Sequence, residues 1–414
     1  MVNRSPSSPG LRVSVNRDGG GRYDAAVAAA LVAARGVEQV TDVVEDVHAR
    51  IMRPRWRRRE PARTRGITGL VYRSIRFFTR GTFGVLRAFG GRERRVALTG
   101  ERREAAVRAV VNGVIGDHLA ETGNALAIPM VLRRGGRVLP LERGALAAAL
   151  PDATARIVVL VHGLCMNDLQ WDLRGTGDHG QALARDLGYT PVYLHYNTGL
   201  HISRNGRDFA ALLEALAEAW PVPVERLAIV GHSMGGMVAR SACHYAAEAG
   251  HRWPEMLRKL VFLATPHHGS PLERGGNAFE TALEAIPYAA PFARLGKMRS
   301  AGITDLRHGS LLDQDWHGRD RFERGGDTRA LVPLPESAEC YTIAATRGRR
   351  PGGFGERVWG DGFVPLHSAL GDHADPRRSL GIPPERRSVM YRTSHFALLH
   401  SPAVYARLRA WLAD

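Results

Sequence analysis

The apolar positions change their period near residue 126, and that change divides the chain. Between Arg22 and Met52, Tyr23, Val27, Leu31, Ala34, Val40, Val44, Val47 and Ile51 recur at multiples of three- and four-residue steps, as on one face of a helix, with Gly36 interrupting the run. Residues 53–65 (RPRWRRREPARTR) are basic, contain two prolines and read as a linker or exposed loop. From Ile67 to Phe89 the helical period returns. Ile67, Leu70, Val71, Ile75, Phe78, Val85, Leu86 and Phe89 fall on one side, and Arg73, Arg76, Arg80 and Arg87 on the other. A third helical segment covers about 101–121, and residues 1–21 are polar and read as disordered. The expected organisation is a disordered start over 1–21, a basic helical region over 22–121 and a larger domain over 122–414.

Past residue 126 short apolar runs alternate with helical stretches. Ala127–Leu132 and Arg137–Leu141 flank Arg134-Gly135-Gly136 and predict a hairpin. Strands are predicted at 157–161, 192–194, 227–230, 260–263, 340–345 and 388–391, and helices at 181–187, 208–220, 236–248 and 402–412. The runs are apolar without polar alternation, which means strands buried on both faces. The expected class is α/β, a mostly parallel sheet with helices on both sides. Residues 270–335 break this rhythm, with short helical pieces around 277–286, and read as a lid or cap inserted after a sheet strand.

The chemistry enters at Gly231-His232-Ser233-Met234-Gly235-Gly236. A buried strand ends at Val230, the G-x-S-x-G pattern follows, and a helix starts at once, which is the setting of a nucleophile elbow. Such a turn is tight, so Gly231 and Gly235 flank Ser233 to leave room, and the serine lies at a helix N-terminus that favours developing negative charge. A glycine-bearing turn with an idle serine is the competing reading; the strand before and the helix after weigh against it. A serine hydroxyl needs a base, and in this arrangement acid and base follow in the order Ser, acid, His. His395 lies between the last strand and the last helix and is the candidate base, ahead of His400, with His267, His268 and His373 less well placed. Asp361, flanked by Gly360 and Gly362, is the candidate acid, with Asp372 and Asp375 as rivals. The oxyanion donors expected are the backbone N–H groups of Met234 and Leu164, the latter in the loop His162-Gly163-Leu164. His162 reads as a structural residue of that loop, and Cys165 as packing.

Composition limits the alternatives. Of a net charge of +16 over 414 residues, residues 1–108 carry +13, with 23 Arg against 10 Asp and Glu. The remainder is close to neutral, so nothing points to nucleic acid as substrate. Only two lysines, Lys259 and Lys297, occur. Three widely spaced cysteines, Cys165, Cys243 and Cys340, argue against a disulfide scaffold or a zinc site. Met1–Gly21 lacks the apolar stretch of a secretory signal, and the longest apolar run, Ala25–Ala34, is too short to span a bilayer. The default expectation is a soluble cytoplasmic protein. The arginine-faced helix at 67–89 has two readings. Either its apolar face packs on neighbouring protein, which is the commoner use of such a helix, or it lies in an anionic membrane interface as a peripheral contact.

Val161-His162-Gly163-Leu164, Gly231–Gly236, Ala264-Thr265-Pro266-His267-His268-Gly269-Ser270, Gly360-Asp361-Gly362-Phe363-Val364-Pro365 and Ser394-His395 together resemble, in order and spacing over about 155–414, the α/β-hydrolase superfamily. Within it they resemble the bacterial triacylglycerol lipases and the GPI inositol-deacylase-like lipases. The resemblance implies hydrolysis of acyl or lipid esters through an acyl-enzyme, with Ser233, Asp361 and His395 as triad and no required cofactor. Some such lipases hold a structural calcium, for which no ligand set is placed here. The N-terminal 120 residues have no counterpart in that family. An acyltransferase or a polyester depolymerase would use the same triad. A silent hydrolase fold serving as a membrane or protein binding module is the alternative from another class, and the intact set of candidates counts against it.

Overall fold

The computed structural model describes residues 100–172, 175, 177–270, 300–318, 327–349 and 360–413. The helices read at 22–52 and 67–89, and the helical pieces at 277–286, lie outside the described residues. The described residues belong to one compact unit, Val96–Asp414.

Eight strands form one sheet in the order β2-β1-β4-β3-β5-β6-β7-β8. They are β1 (Val131–Arg134), β2 (Arg137–Val138), β3 (Arg156–Val161), β4 (Thr190–His195), β5 (Arg226–His232), β6 (Leu257–Leu263), β7 (Glu339–Thr346) and β8 (Arg387–Tyr391). β1 pairs antiparallel with β2 and with β4, and all other pairings are parallel. The α/β class with a mostly parallel sheet is therefore what the chain adopts. The hairpin at Gly135-Gly136 is present, with a second arm of only two residues.

The apolar runs work because strand residues alternate between faces. In β3, Ile157, Val159 and Val161 join a core with Leu146, Phe209, Leu213 and Trp220, while Val158 and Leu160 join a second core with Leu183, Leu408 and Leu412. Both faces are thus covered, and each fully buried aliphatic side chain contributes about 1.5–3 kcal/mol. The covering helices are α2 (Arg143–Ala149), α3 (His179–Leu187), α4 (Ile202–Ala219), α5 (Met234–Ala249), a short α6 (Trp253–Met256) and, after the insertion, α7 (Ala301–His308), α8 (Leu366–Leu370) and α9 (Pro402–Leu412). The α3 helix starts where the Asp178 carboxylate accepts from Gln181 N and ends at Gly188 in the left-handed region. Helix α4 begins six residues before the predicted start, and α2, α6, α7 and α8 were not anticipated.

The segment at 101–121 is a helix, α1 (Gly100–Glu121), kinked at Ile115. Although the sequence puts a boundary at 121/122, α1 lies in the same compact unit as the sheet. It docks where its glycines leave no side chain: a Cβ on Gly113 would lie 2.2 Å from Cys165 Sγ, and one on Gly116 1.9 Å from Asn197 Oδ1. Asn197 Nδ2 donates to the Gly116 carbonyl, and Ser300 Oγ to that of Gly113. The α1 helix therefore lies against the loops that follow β3 and β4. Among the described residues no helix is long and apolar enough to cross a membrane.

Candidate active site

Backbone strain marks one edge of the sheet. Among the described residues, four non-glycine residues have positive φ: Cys165 (58°), Ser233 (54°), Ala264 (48°) and Arg392 (53°). Each follows the C-terminal end of a parallel strand, β3, β5, β6 and β8 respectively. Such conformations cost about 1–3 kcal/mol each and persist where surrounding structure fixes them. The carboxyl ends of parallel strands are also where sheets of this kind carry their sites.

Ser233 stands between β5 and α5 as predicted, with φ 54° and ψ −123°. Its surroundings are backbone. A Cβ on Gly231 would lie 2.5 Å from Gly236 Cα, and one on Gly235 only 2.2 Å from the Val161 carbonyl oxygen. Both glycines are required by this close approach, which lets the start of α5 press against the end of β3. Ser233 N donates to the Leu263 carbonyl, tying the turn to β6. Met234 N–H is at the first position of α5, among the groups that no intrahelical acceptor satisfies. Gly163 faces the serine, since a Cβ there would lie 3.1 Å from Ser233 Cβ. The neighbouring Leu164 is half-buried, while the next amide, Cys165 N, is already committed to Thr198 Oγ1.

The structure brings His395 and Asp361 together. His395 Nδ1 lies 2.6 Å from Asp361 Oδ2, with both residues buried. The other carboxylate oxygen, Oδ1, accepts from the backbone N–H groups of Phe363 and Val364, both at 2.9 Å. Asp361 is thus locked in its loop by its own turn. His395 begins a 3-10 turn (His395–His400), and its ring stacks on Phe363 at a centroid separation of 5.0 Å. The ring of His232, the residue before the serine, lies 4.7 Å from that of His395.

The rival residues are engaged elsewhere. Asp372 pairs with Arg387, and Asp375 pairs with Arg377 and accepts from its amide. His267 packs edge-on against Phe262 beside Arg240, and burial holds its imidazole well below the usual range. His373 packs against His268, 4.8 Å away. His162 Nδ1 meets the Gly163 carbonyl and the ring stacks on Tyr196, as a structural residue of the loop would; burial takes its pKa down to about 3. Cys165 is buried and free, and burial pushes its thiol up to about 12. Among the described residues no group of His, Cys, Asp or Glu is placed to hold a metal ion.

One residue escaped the sequence reading. His232 Nε2 lies 3.3 Å from the carbonyl oxygen of His395. Its place beside Ser233 was visible, but the loop it reaches is 163 positions away, and no local pattern carries that contact.

In architecture the described residues form a mostly parallel eight-stranded α/β sheet covered by helices on both faces, with a strand–turn–helix at Ser233. Residues 152–325 match the family model of the PGAP1-like alpha/beta domain, roughly two fifths of the chain. The match contains the elbow and stops before Asp361 and His395. No curated protein matches the sequence. Among solved structures, the mature lipase BlEst2 of Bacillus licheniformis is 17% identical, with a TM-score of 0.41, over 69% of this chain and 98% of that one. Lipase B of Aspergillus fumigatus is 11% identical, with a TM-score of 0.39, over 67% of this chain and 54% of that one. A lipase-esterase related protein from Clostridium acetobutylicum is 11% identical, with a TM-score of 0.37, over 69% of this chain and 99% of that one.

Proposed function

We propose that this chain is a carboxylic ester hydrolase, lipase- or esterase-like, that works through an acyl-enzyme on Ser233. The observation that carries the reading is the 2.6 Å pairing of His395 with Asp361, two buried groups that converge on the strand edge where Ser233 is held in a strained elbow. A carboxylate can only accept, so Asp361 fixes the imidazole proton on Nδ1 and leaves Nε2 as the base. In this reading His395 Nε2 takes the Ser233 proton as Oγ attacks the ester carbonyl. The N–H groups of Met234 and Leu164 receive the oxyanion. His395 then protonates the departing alcohol, and a water that it activates hydrolyses the acyl-enzyme. The acyl ester or lipid is the only partner the mechanism needs.

The test is labelling of the full-length protein with a fluorophosphonate, followed by an ester panel of increasing acyl length. Wild type is expected to label and to turn over esters, and Ser233→Ala to do neither. Undiminished labelling in Ser233→Ala, or none in wild type, would end this reading.

A further inference from the structure

A cleft of about 660 Å³ lies beside the base and is lined by Arg347, Arg349, Arg392, Ser394 and Ala397. Its construction follows from the sheet. Thr346 and Tyr391 are paired across β7 and β8, so Arg347 and Arg392, one residue further on each strand, emerge side by side. The walls are tied together by backbone: Arg347 N donates to the Gly360 carbonyl, Arg392 N to that of Gly348, and Thr393 N to that of Thr346. The Arg347 guanidinium rests on Gly362, where a Cβ would come within 3.2 Å of its Cζ. One wall thus adjoins Asp361, and Ser394 adjoins His395.

Several arginines elsewhere on the domain are compensated. Arg133, Arg207, Arg329, Arg386 and Arg387 each pair with a carboxylate. Among the described residues none pairs with Arg347, Arg349 or Arg392, and all three are exposed. Three guanidinium groups without a carboxylate partner among the described residues surround one concavity and focus a positive potential there. Their flat donor forks match pairs of phosphate oxygens.

We infer that this cleft is a subsite for a phosphate group carried on the alcohol part of the ester substrate. The inference rests on the ester-hydrolase reading. The leaving alcohol takes its proton from His395, so that part of the substrate lies on the His395 side, and Ser394 and Ala397 of the cleft flank His395 in the chain. The acyl chain is then held elsewhere, and Arg347, Arg349 and Arg392 set which alcohols are accepted.

The experiment compares kcat/KM of the full-length protein on two esters with the same butyryl group, one on glycerol 3-phosphate and one on glycerol. Wild type is expected to favour the phosphate-bearing ester by roughly tenfold or more. The variant Arg349→Gln/Arg392→Asn should bring that ratio close to one; Asn is chosen because it tolerates the left-handed backbone at 392. Arg347→Gln is measured separately, with a thermal melt, because its side chain packs on the Asp361 loop. A ratio near one in wild type, or a ratio the variants leave unchanged, overturns the subsite while leaving the hydrolase reading intact. If neither butyryl ester is turned over, the hydrolase reading still rests on the labelling test, and calorimetry with glycerol 3-phosphate decides the cleft alone. Saturable binding weakened about tenfold in the double variant upholds it, and no binding overturns it. Inorganic phosphate that binds as tightly as glycerol 3-phosphate overturns the substrate subsite and leaves a site for the free ion.

Discussion

The carbonyl oxygen of His395 accepts a hydrogen bond from His232 Nε2 at 3.3 Å, so the residue before the proposed nucleophile, Ser233, holds the backbone of the proposed base. A carbonyl can only accept, which fixes the His232 proton on Nε2. Burial keeps this imidazole neutral, well below its usual range. We expect His232 to act as a positioning residue, because its contact ties the elbow to the loop carrying His395. Replacing it with Phe keeps the volume and removes the donor. On a turned-over ester, kcat should fall roughly tenfold with KM little changed, since a misplaced base affects the transition state and not ground-state binding. His232→Gln, which keeps a donor, should recover part of the loss. A rise in KM at constant kcat would contradict the positioning role.

The 2.6 Å contact between His395 and Asp361 gives a second test. Asp361→Asn preserves shape but presents an amide to Nδ1, favouring the wrong tautomer. Ester turnover should drop by about three to four orders of magnitude, with a thermal midpoint near that of wild type. A loss smaller than tenfold would remove Asp361 from the proposed mechanism.

Gly235→Ala tests the elbow by sterics alone. Its Cβ would sit 2.2 Å from the Val161 carbonyl oxygen and 2.7 Å from that of His162. Both are backbone atoms of the central strand and the loop after it, with little room to yield. The expected cost is about 3 kcal/mol or more, read as a lower denaturant midpoint at unchanged slope. An unaltered midpoint would show that α5 is not pressed against β3 as described.

Acid should unfold the domain earlier than its carboxylates alone would require. Burial takes the pKa of His162 down to about 3 and those of His232 and His267 well below the usual range. All three are neutral when folded, but their unfolded counterparts bind protons below about pH 6.5. Between those limits the unfolded state holds more protons, so stability is fully present above about 6.5 and declines as pH falls. The slope approaches about 1.4 kcal/mol per pH unit for each such histidine. Urea unfolding at a series of pH values spanning about three units, from about 8 down to about 5, should show a steady fall below about 6.5. A flat profile across that range would mean that these rings are charged or solvated.

The sheet was legible because its strands are bounded apolar runs, and the elbow because its spacing is local. Ser233 could be put forward as a candidate from five residues, and Asp361 and His395 from their order after it. What could not be read were boundaries and contacts set by tertiary packing. Helix α4 starts at Ile202, ahead of any strong apolar period. Gly206 lies inside it, where a Cβ would be 2.1 Å from Ser241 Oγ; in the sequence it looks like a weak point. The bond from His232 to His395 has no sequence signature, nor has the meeting of Arg347 with Arg392, which depends on the register of β7 and β8.

The docking of α1 also bears on the reactivity of Cys165. Cys165 has the left-handed backbone of a functional loop and lies in the loop that carries Leu164, a place where a thiol could compete with the serine or be oxidised. Gly113 lies against its sulfur, and Val110 and Val114 complete the apolar cover. With its thiol pushed up to about 12 by that burial, Cys165 offers almost no thiolate at neutral pH. A helix from outside the sheet covers the sulfur, so under the proposed mechanism Ser233 meets no competing thiolate from Cys165.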